Sequence, residues 1–266
     1  MGIEKLNGSV IEIERNFLNI KTLSPRLLGH YYLKRKHKEK PMKQNDIEEI
    51  VGKFTALCKP EHRYSSFDYC YNYFYTNDDL TKDMEKSCFE LAFYLSSWGM
   101  FRGSSFLLQK SAKYFVQTIE YINSLEDDLW KKDVNNYDDI FIERIIEIYI
   151  KLEELIVENW SRSITLVTKM MLGIFGFVPA YDEYFCQSFR TITNGKCGFR
   201  SFNKGSLKMI KCFFDSNEDS ISKLSNETFT YDFITGNKTK IKYPKAKIID
   251  MYGFSKGKLE YFAEYP

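Results

Sequence analysis

Apolar residues recur at helical spacing through most of this chain. Between 139 and 158, Ile145, Ile148, Leu152, Leu155 and Ile156 fall on one face of a 3.6-residue repeat, with Glu147 and Lys151 as an outward i,i+4 pair. The same reasoning predicts helices from Asn45-Asp46 to about Cys58, from Ser65 or Ser66 through Tyr75, and from Thr81 through Trp98. In the second of these, Asp68 and Asn72 share one face, as do Tyr69 and Tyr73. Further helices are expected from Ser104 or Ser105 to Lys110, and two more between 111 and 158, divided by the polar turn Asp133-Val-Asn-Asn136. Others are expected over 164–172, 182–189 and 204–214. Pro244 opens a last one, 245–252, closed by Gly253. Period-two alternation marks two short strands, Ser9-Val-Ile-Glu-Ile-Glu14 and 228–234. Residues 215–240 otherwise read as polar and turn-rich.

These elements give a mainly α fold with minor strands. No repeat, low-complexity tract or clear linker divides residues 1–266, so a single domain is expected, with a lobe boundary near 110–160 as a way to accommodate the length.

Composition narrows the class. Apolar residues are 44% of 266, enough to build a core. With 38 basic against 36 acidic residues, global charge names no partner. Local charge does more. Eight basic residues lie between Lys21 and Lys43, opposed only by Glu39, and Lys34, Arg35 and Lys36 sit among Tyr31, Tyr32 and two histidines. Such a run suits a phosphate backbone with exposed bases, or is solvated surface. The six cysteines are scattered and there are only three histidines, so no metal set or cofactor is expected, and a reducing compartment is. No stretch has the length of a signal peptide or a membrane span, which reads as cytoplasmic with no membrane partner.

Three segments interrupt apolar runs with chemistry. In Trp98-Gly-Met-Phe-Arg-Gly-Ser-Ser105, leading to Lys110, the glycines permit close approach and Ser104-Ser105 open a helix start that attracts anions; a helix elbow with Arg102 in a salt bridge fits equally. In Thr165–Phe185, Lys169 lies in an otherwise apolar helix, Gly173 and Gly176 end it, and Asp182 caps the next. In Tyr243–Gly253, Asp250 falls inside an apolar patch and needs a Lys or Arg from elsewhere.

Thr168-Lys169, followed by Val178-Pro-Ala-Tyr-Asp182, resembles the signature of helix-hairpin-helix DNA glycosylases, and is most similar to the 8-oxoguanine glycosylase-like branch. The resemblance implies a two-lobed helical fold and excision of a damaged or modified base flipped from duplex DNA. A specialised form would remove hypermodified bases from phage DNA in antiviral defence. Lys169 would be the nucleophile at the sugar C1′ and Asp182 the carboxylate supporting cleavage. Tyr69, Tyr73, Trp98, Arg102, Phe177 and Tyr181 would wall the base pocket. Lys34, Arg35, Lys36, Ser104, Ser105, Lys110 and Arg200 would meet the DNA backbone. Where the family's hairpin carries Gly-x-Gly, this chain has Asn159-Trp-Ser-Arg-Ser-Ile-Thr165, so the phosphate grip passes to the basic segment or to Lys196, Arg200 and Lys204. A non-catalytic nucleic-acid-binding module, or an interaction or toxin-type component using its aromatic surface, are the other readings.

Overall fold

The computed structural model describes residues 42–158 and 163–264, with side chains to Leu259. The strand expected at 9–14, the run holding Lys34, Arg35 and Lys36, and the segment 159–162 lie outside the described residues.

The mainly helical expectation holds. Ten α-helices run in order among the described residues: α1 (Ile47–Leu57), α2 (Ser66–Thr76), α3 (Met84–Ser97), α4 (Val116–Asn123), α5 (Asp139–Ile156), α6 (Ile164–Phe175), α7 (Glu183–Ile192), α8 (Lys204–Ser216), α9 (Glu218–Glu227) and α10 (Lys245–Glu264). Between α9 and α10, β1 (Phe229–Tyr231) and β2 (Lys238–Lys242) form one antiparallel hairpin. No described helix is long and apolar enough to cross a membrane.

Short polar side chains start four of the described helices, satisfying free first-turn N–H groups. Asp83 accepts from Lys86 N–H, Asp138 from Phe141 N–H, Asp182 from Phe185 N–H and Asn203 from Ser206 N–H. Along α5, Phe141, Ile142, Ile145, Ile148, Tyr149, Leu152 and Ile156 are buried, the stripe that the periodicity predicted. The outer pairing differs: Glu147 meets Arg144, and Lys151 meets Glu154.

Three other expectations are corrected. The helix expected from Ser104–Ser105 to Lys110 is a single 3-10 turn, Phe106–Gln109, because the Ser105 hydroxyl caps Leu107 N–H and the chain is extended again at Lys110. Residues 215–240 contain a full helix, α9, whose polar surface hides a narrow apolar contact through Ile221. The last helix does not stop at Gly253. It runs on to Glu264, and both Gly253 and Gly257 face α7. A Cβ at Gly253 would meet the rings of Phe185 and Phe189, and one at Gly257 would meet the Tyr184 carbonyl. The first glycine is a gap that admits two rings and the second lets the helix backbones approach; neither is a stop signal.

Helix α10 thus lies along α7, with α1 and α9 also packed against it, while α2 packs on α3, α6 and β1. Asp68 and Asn72 do share a face, and both clamp the hairpin. Asp68 accepts from Tyr231 N–H and from the Tyr243 hydroxyl, and Asn72 donates to the Tyr231 carbonyl.

Candidate functional site

Lys169 sits in mid-α6 and is 4% exposed. Its ammonium lies 2.9 Å from Asp182 Oδ2 and 4.8 Å from the centre of the Trp98 ring. Trp98 caps the C-terminus of α3, where Gly99 turns the chain at φ +80°. The Asp182 side chain does two things at once: Oδ1 caps α7 at 3.0 Å and Oδ2 takes the lysine.

The loop carrying Asp182 is fastened on both sides. Thr168 Oγ1 accepts Tyr181 N–H at 2.9 Å, and Thr165 Oγ1 donates to the Tyr181 carbonyl at 2.9 Å. From α10, Asp250 Oδ1 accepts Ala180 N–H at 3.1 Å. Gly176 ends α6 in the left-handed region at φ +73°, with its N–H returned to Leu172. Gly173 does not end the helix. It lies within α6, and its missing Cβ makes room for the Tyr94 ring, whose hydroxyl donates to the Lys169 carbonyl at 3.1 Å.

A second buried lysine shares the same ring. Lys247, on α10 and 1% exposed, lies 4.8 Å from the Trp98 centre and 4.6 Å from that of Phe67. Its partner is Asp250, 2.9 Å away. The counter-ion that Asp250 required therefore comes from one turn earlier on its own helix. Each buried ammonium has one carboxylate and an aromatic face, which offsets part of the cost of removing it from water.

Around Trp98 the aromatic side chains continue. Tyr64 stacks on it at 5.2 Å, Phe54 stacks on Tyr64 at 4.8 Å, and Phe254 meets all three edge-on. Phe54, Tyr64 and Phe254 also line a mostly apolar hollow of about 210 Å³. The indole Nε1 of Trp98 is buried and has no acceptor among the described residues. Such orphan donors are uncommon in native structures.

Nearby, burial pushes the Asp68 carboxyl up to about 7, against the opposing effects of the Tyr243 hydroxyl, Tyr231 N–H and Lys247. Burial raises the Cys58 and Cys186 thiols to about 12, away from thiolate chemistry. No group of His, Cys, Asp and Glu among the described residues is arranged to hold a metal ion.

The remaining predicted residues scatter. Phe177 is fully buried, and the Tyr137 hydroxyl donates to its carbonyl. Tyr181 is core, stacked on Phe185 and bonded to Ser206. Neither offers a wall to an open pocket. Tyr69 donates to the Pro60 carbonyl and Tyr73 pairs with Ser87. Arg102 is exposed, lies over Gly99 and makes no ion pair among the described residues. Ser104 is exposed, and Ser105 donates to the Met100 carbonyl. Lys110 pairs with Glu158 at 2.6 Å, and Arg200 is exposed. The structure thus joins Lys169, Asp182 and Trp98, and adds the Lys247–Asp250 pair and Tyr64, of which sequence reasoning raised only Asp250, as a buried carboxylate in need of a cation. The spacing Lys247-x-x-Asp250 was the available signal, since residues three apart on a helix are neighbours.

Comparison with protein-family models, with curated proteins and with solved structures finds no match to this chain, so the geometry around Lys169 carries the functional reading.

Proposed function

We propose that this protein is a DNA glycosylase-like enzyme that excises a damaged or modified base, with Lys169 and Asp182 as its centre. One observation carries the reading: the two residues singled out by resemblance, thirteen positions apart, meet at 2.9 Å beside an indole ring.

The chemistry is consistent with that pairing. Asp182 Oδ2 is placed to take a proton from Lys169, freeing the amine lone pair. As the base departs with the electron pair of the N-glycosidic bond, positive charge builds on the sugar, and the amine adds at C1′. Lys169 then carries positive charge beside a now neutral Asp182, which can take part in later proton transfers. Trp98 lies against the pair, and its N–H is a donor with no acceptor among the described residues. Removal of hypermodified bases from phage DNA is the specialised form of this activity.

Burial of the pair favours a second reading. With both Asp182 oxygens occupied and Lys169 nearly inaccessible, the ion pair can serve as a strut in a nucleic-acid-binding module without catalysis.

Base release from duplexes containing oxidised or hypermodified bases separates the two. The enzyme reading expects release by the wild type and its loss in Lys169→Gln and Asp182→Asn, each checked for a native circular-dichroism spectrum. Release that persists in both folded variants would reject the residue assignment. DNA binding at low salt without any release would favour the module, and absence of DNA binding would remove both.

A further inference from the structure

The β1–β2 hairpin projects an unusual combination of side chains. At its turn Phe233 is 71% exposed and Ile234 86% exposed. Isolated exposed apolar residues are ordinary, but two bulky ones together at a turn tip make a small apolar patch. The tip is braced: Asp232 accepts from the Thr235 N–H and hydroxyl at 2.8 Å each, Gly236 turns at φ +66°, and Tyr69 meets Phe233 edge-on at 5.1 Å.

From that tip, β2 alternates. Thr239 and Ile241 turn inward, while Lys238, Lys240 and Lys242 are exposed. Alternate strand residues stand roughly 6.6 Å apart, about two axial steps of one DNA strand. The ladder then enters a groove of about 530 Å³, where Lys240 and Lys242 are joined by Lys131, Lys132 and Lys245. Their charge is only partly neutralised. Lys242 bonds the amide oxygen of Asn226 and Lys245 that of Asn135, both neutral. Asp128 reaches Lys132 only at 3.7 Å, and Asp133 is turned to the backbone N–H groups of Lys245 and Ala246. Tyr75, 44% exposed, and the half-buried Trp130 give the groove ring faces.

We propose that this hairpin and its groove form the nucleic-acid grip: the lysine ladder follows a phosphate backbone, and the Phe233–Ile234 tip presses against a base step. A lipid surface would also suit an apolar tip among lysines, but most of these lysines line a concave groove, whereas a membrane presents a plane. The proposal rests on the reading that DNA is the substrate. It concerns binding, so its failure and failure of the Lys169 assignment are separable.

The test uses the full chain, with residues 21–40 present in every variant. Fluorescence anisotropy follows a short duplex, fully paired or with one central mismatch, across a salt series. Lys131→Glu combined with Lys240→Glu and Lys242→Glu is expected to weaken duplex binding by roughly tenfold or more, and to reduce the salt slope by about 2–3. Phe233→Ser with Ile234→Ser is expected to lose the preference for the mismatched duplex while binding the paired one as before. A charge-reversed variant with unchanged affinity and slope overturns the grip, and a mismatch preference that survives at the serine tip overturns the wedge. Tighter association with phosphatidylserine vesicles, lost in the same variants, would assign the surface to lipid and overturn the proposal.

Discussion

Lysine is used in two opposite ways in this molecule. Around Trp98, Lys169 and Lys247 are withdrawn from water and matched one to one with Asp182 and Asp250. Along β2 and its groove, Lys131, Lys238 and Lys240 stand in water, and the ammoniums of Lys242 and Lys245 bond neutral amides. A buried charge with a single partner has a fixed position, and is suited to holding a structure together or acting at one atom. An exposed, unbalanced row produces a field that extends outward and suits a long anion. The proposals of chemistry at one region and capture at the other rest on this contrast.

The sharpest way to break this contrast is to remove one buried charge. Lys247→Met leaves Asp250 buried without its counter-ion and is expected to cost about 3–5 kcal/mol; urea unfolding at neutral pH measures it. A loss below about 1 kcal/mol would mean that water reaches Asp250 and that the buried description is wrong.

Next in size is a pH effect beside the same cluster. Asp68 has a carboxyl pushed from the ordinary 3.8 up to about 7 by burial. A raised acid favours the neutral folded form, so its contribution is full below the unfolded value and is lost as pH rises through about 7. Each unit of that window is worth on the order of 1.4 kcal/mol. Comparing the wild type with Asp68→Asn from pH 4 to 8 should show the asparagine protein gaining relative stability with pH; parallel curves would contradict this.

Trp98→Phe keeps a ring for both ammoniums and removes the orphan N–H. Its stability change should stay under roughly 1.5 kcal/mol, while base release, if the proposed activity holds, should fall. An unchanged release rate would relegate the indole to packing. The smallest effect is expected in the exposed row: Lys240→Ala and Lys242→Ala should each shift stability within about ±0.5 kcal/mol, by thermal melting. A larger loss would show these side chains to be structural.

Much of the fold was legible because its causes are local. The stripe of α5, the cap at Asp182 and the break after Trp98 follow from side-chain periodicity, a short acceptor and two glycines. What was not legible depended on neighbours distant in sequence. Gly253 reads as a helix terminus until Phe185 and Phe189 are seen against it. The α9 sequence is too polar to announce a helix. At the site, Lys169 and Asp182 were named in advance, and Asp250 was recognised as needing a cation. Lys247 was overlooked because a lysine beside Lys245 reads as solvated surface, and only the rings of Phe67 and Trp98 show otherwise. The walls assigned to Phe177 and Tyr181 were core, since aromatic residues near a candidate nucleophile more often fill space than line a cleft.

The paired glycines of α10 have one more consequence. A helix packed through interdigitating side chains can slip by a turn and find a new fit, but backbone lodged against the Phe185 and Phe189 rings at Gly253 and against the Tyr184 carbonyl at Gly257 has a single seating. Asp250 and Lys247 ride on that helix and Asp182 begins the one it touches. The interval between the two ion pairs is therefore gauged by the absence of two methyl groups, three and seven residues beyond Asp250.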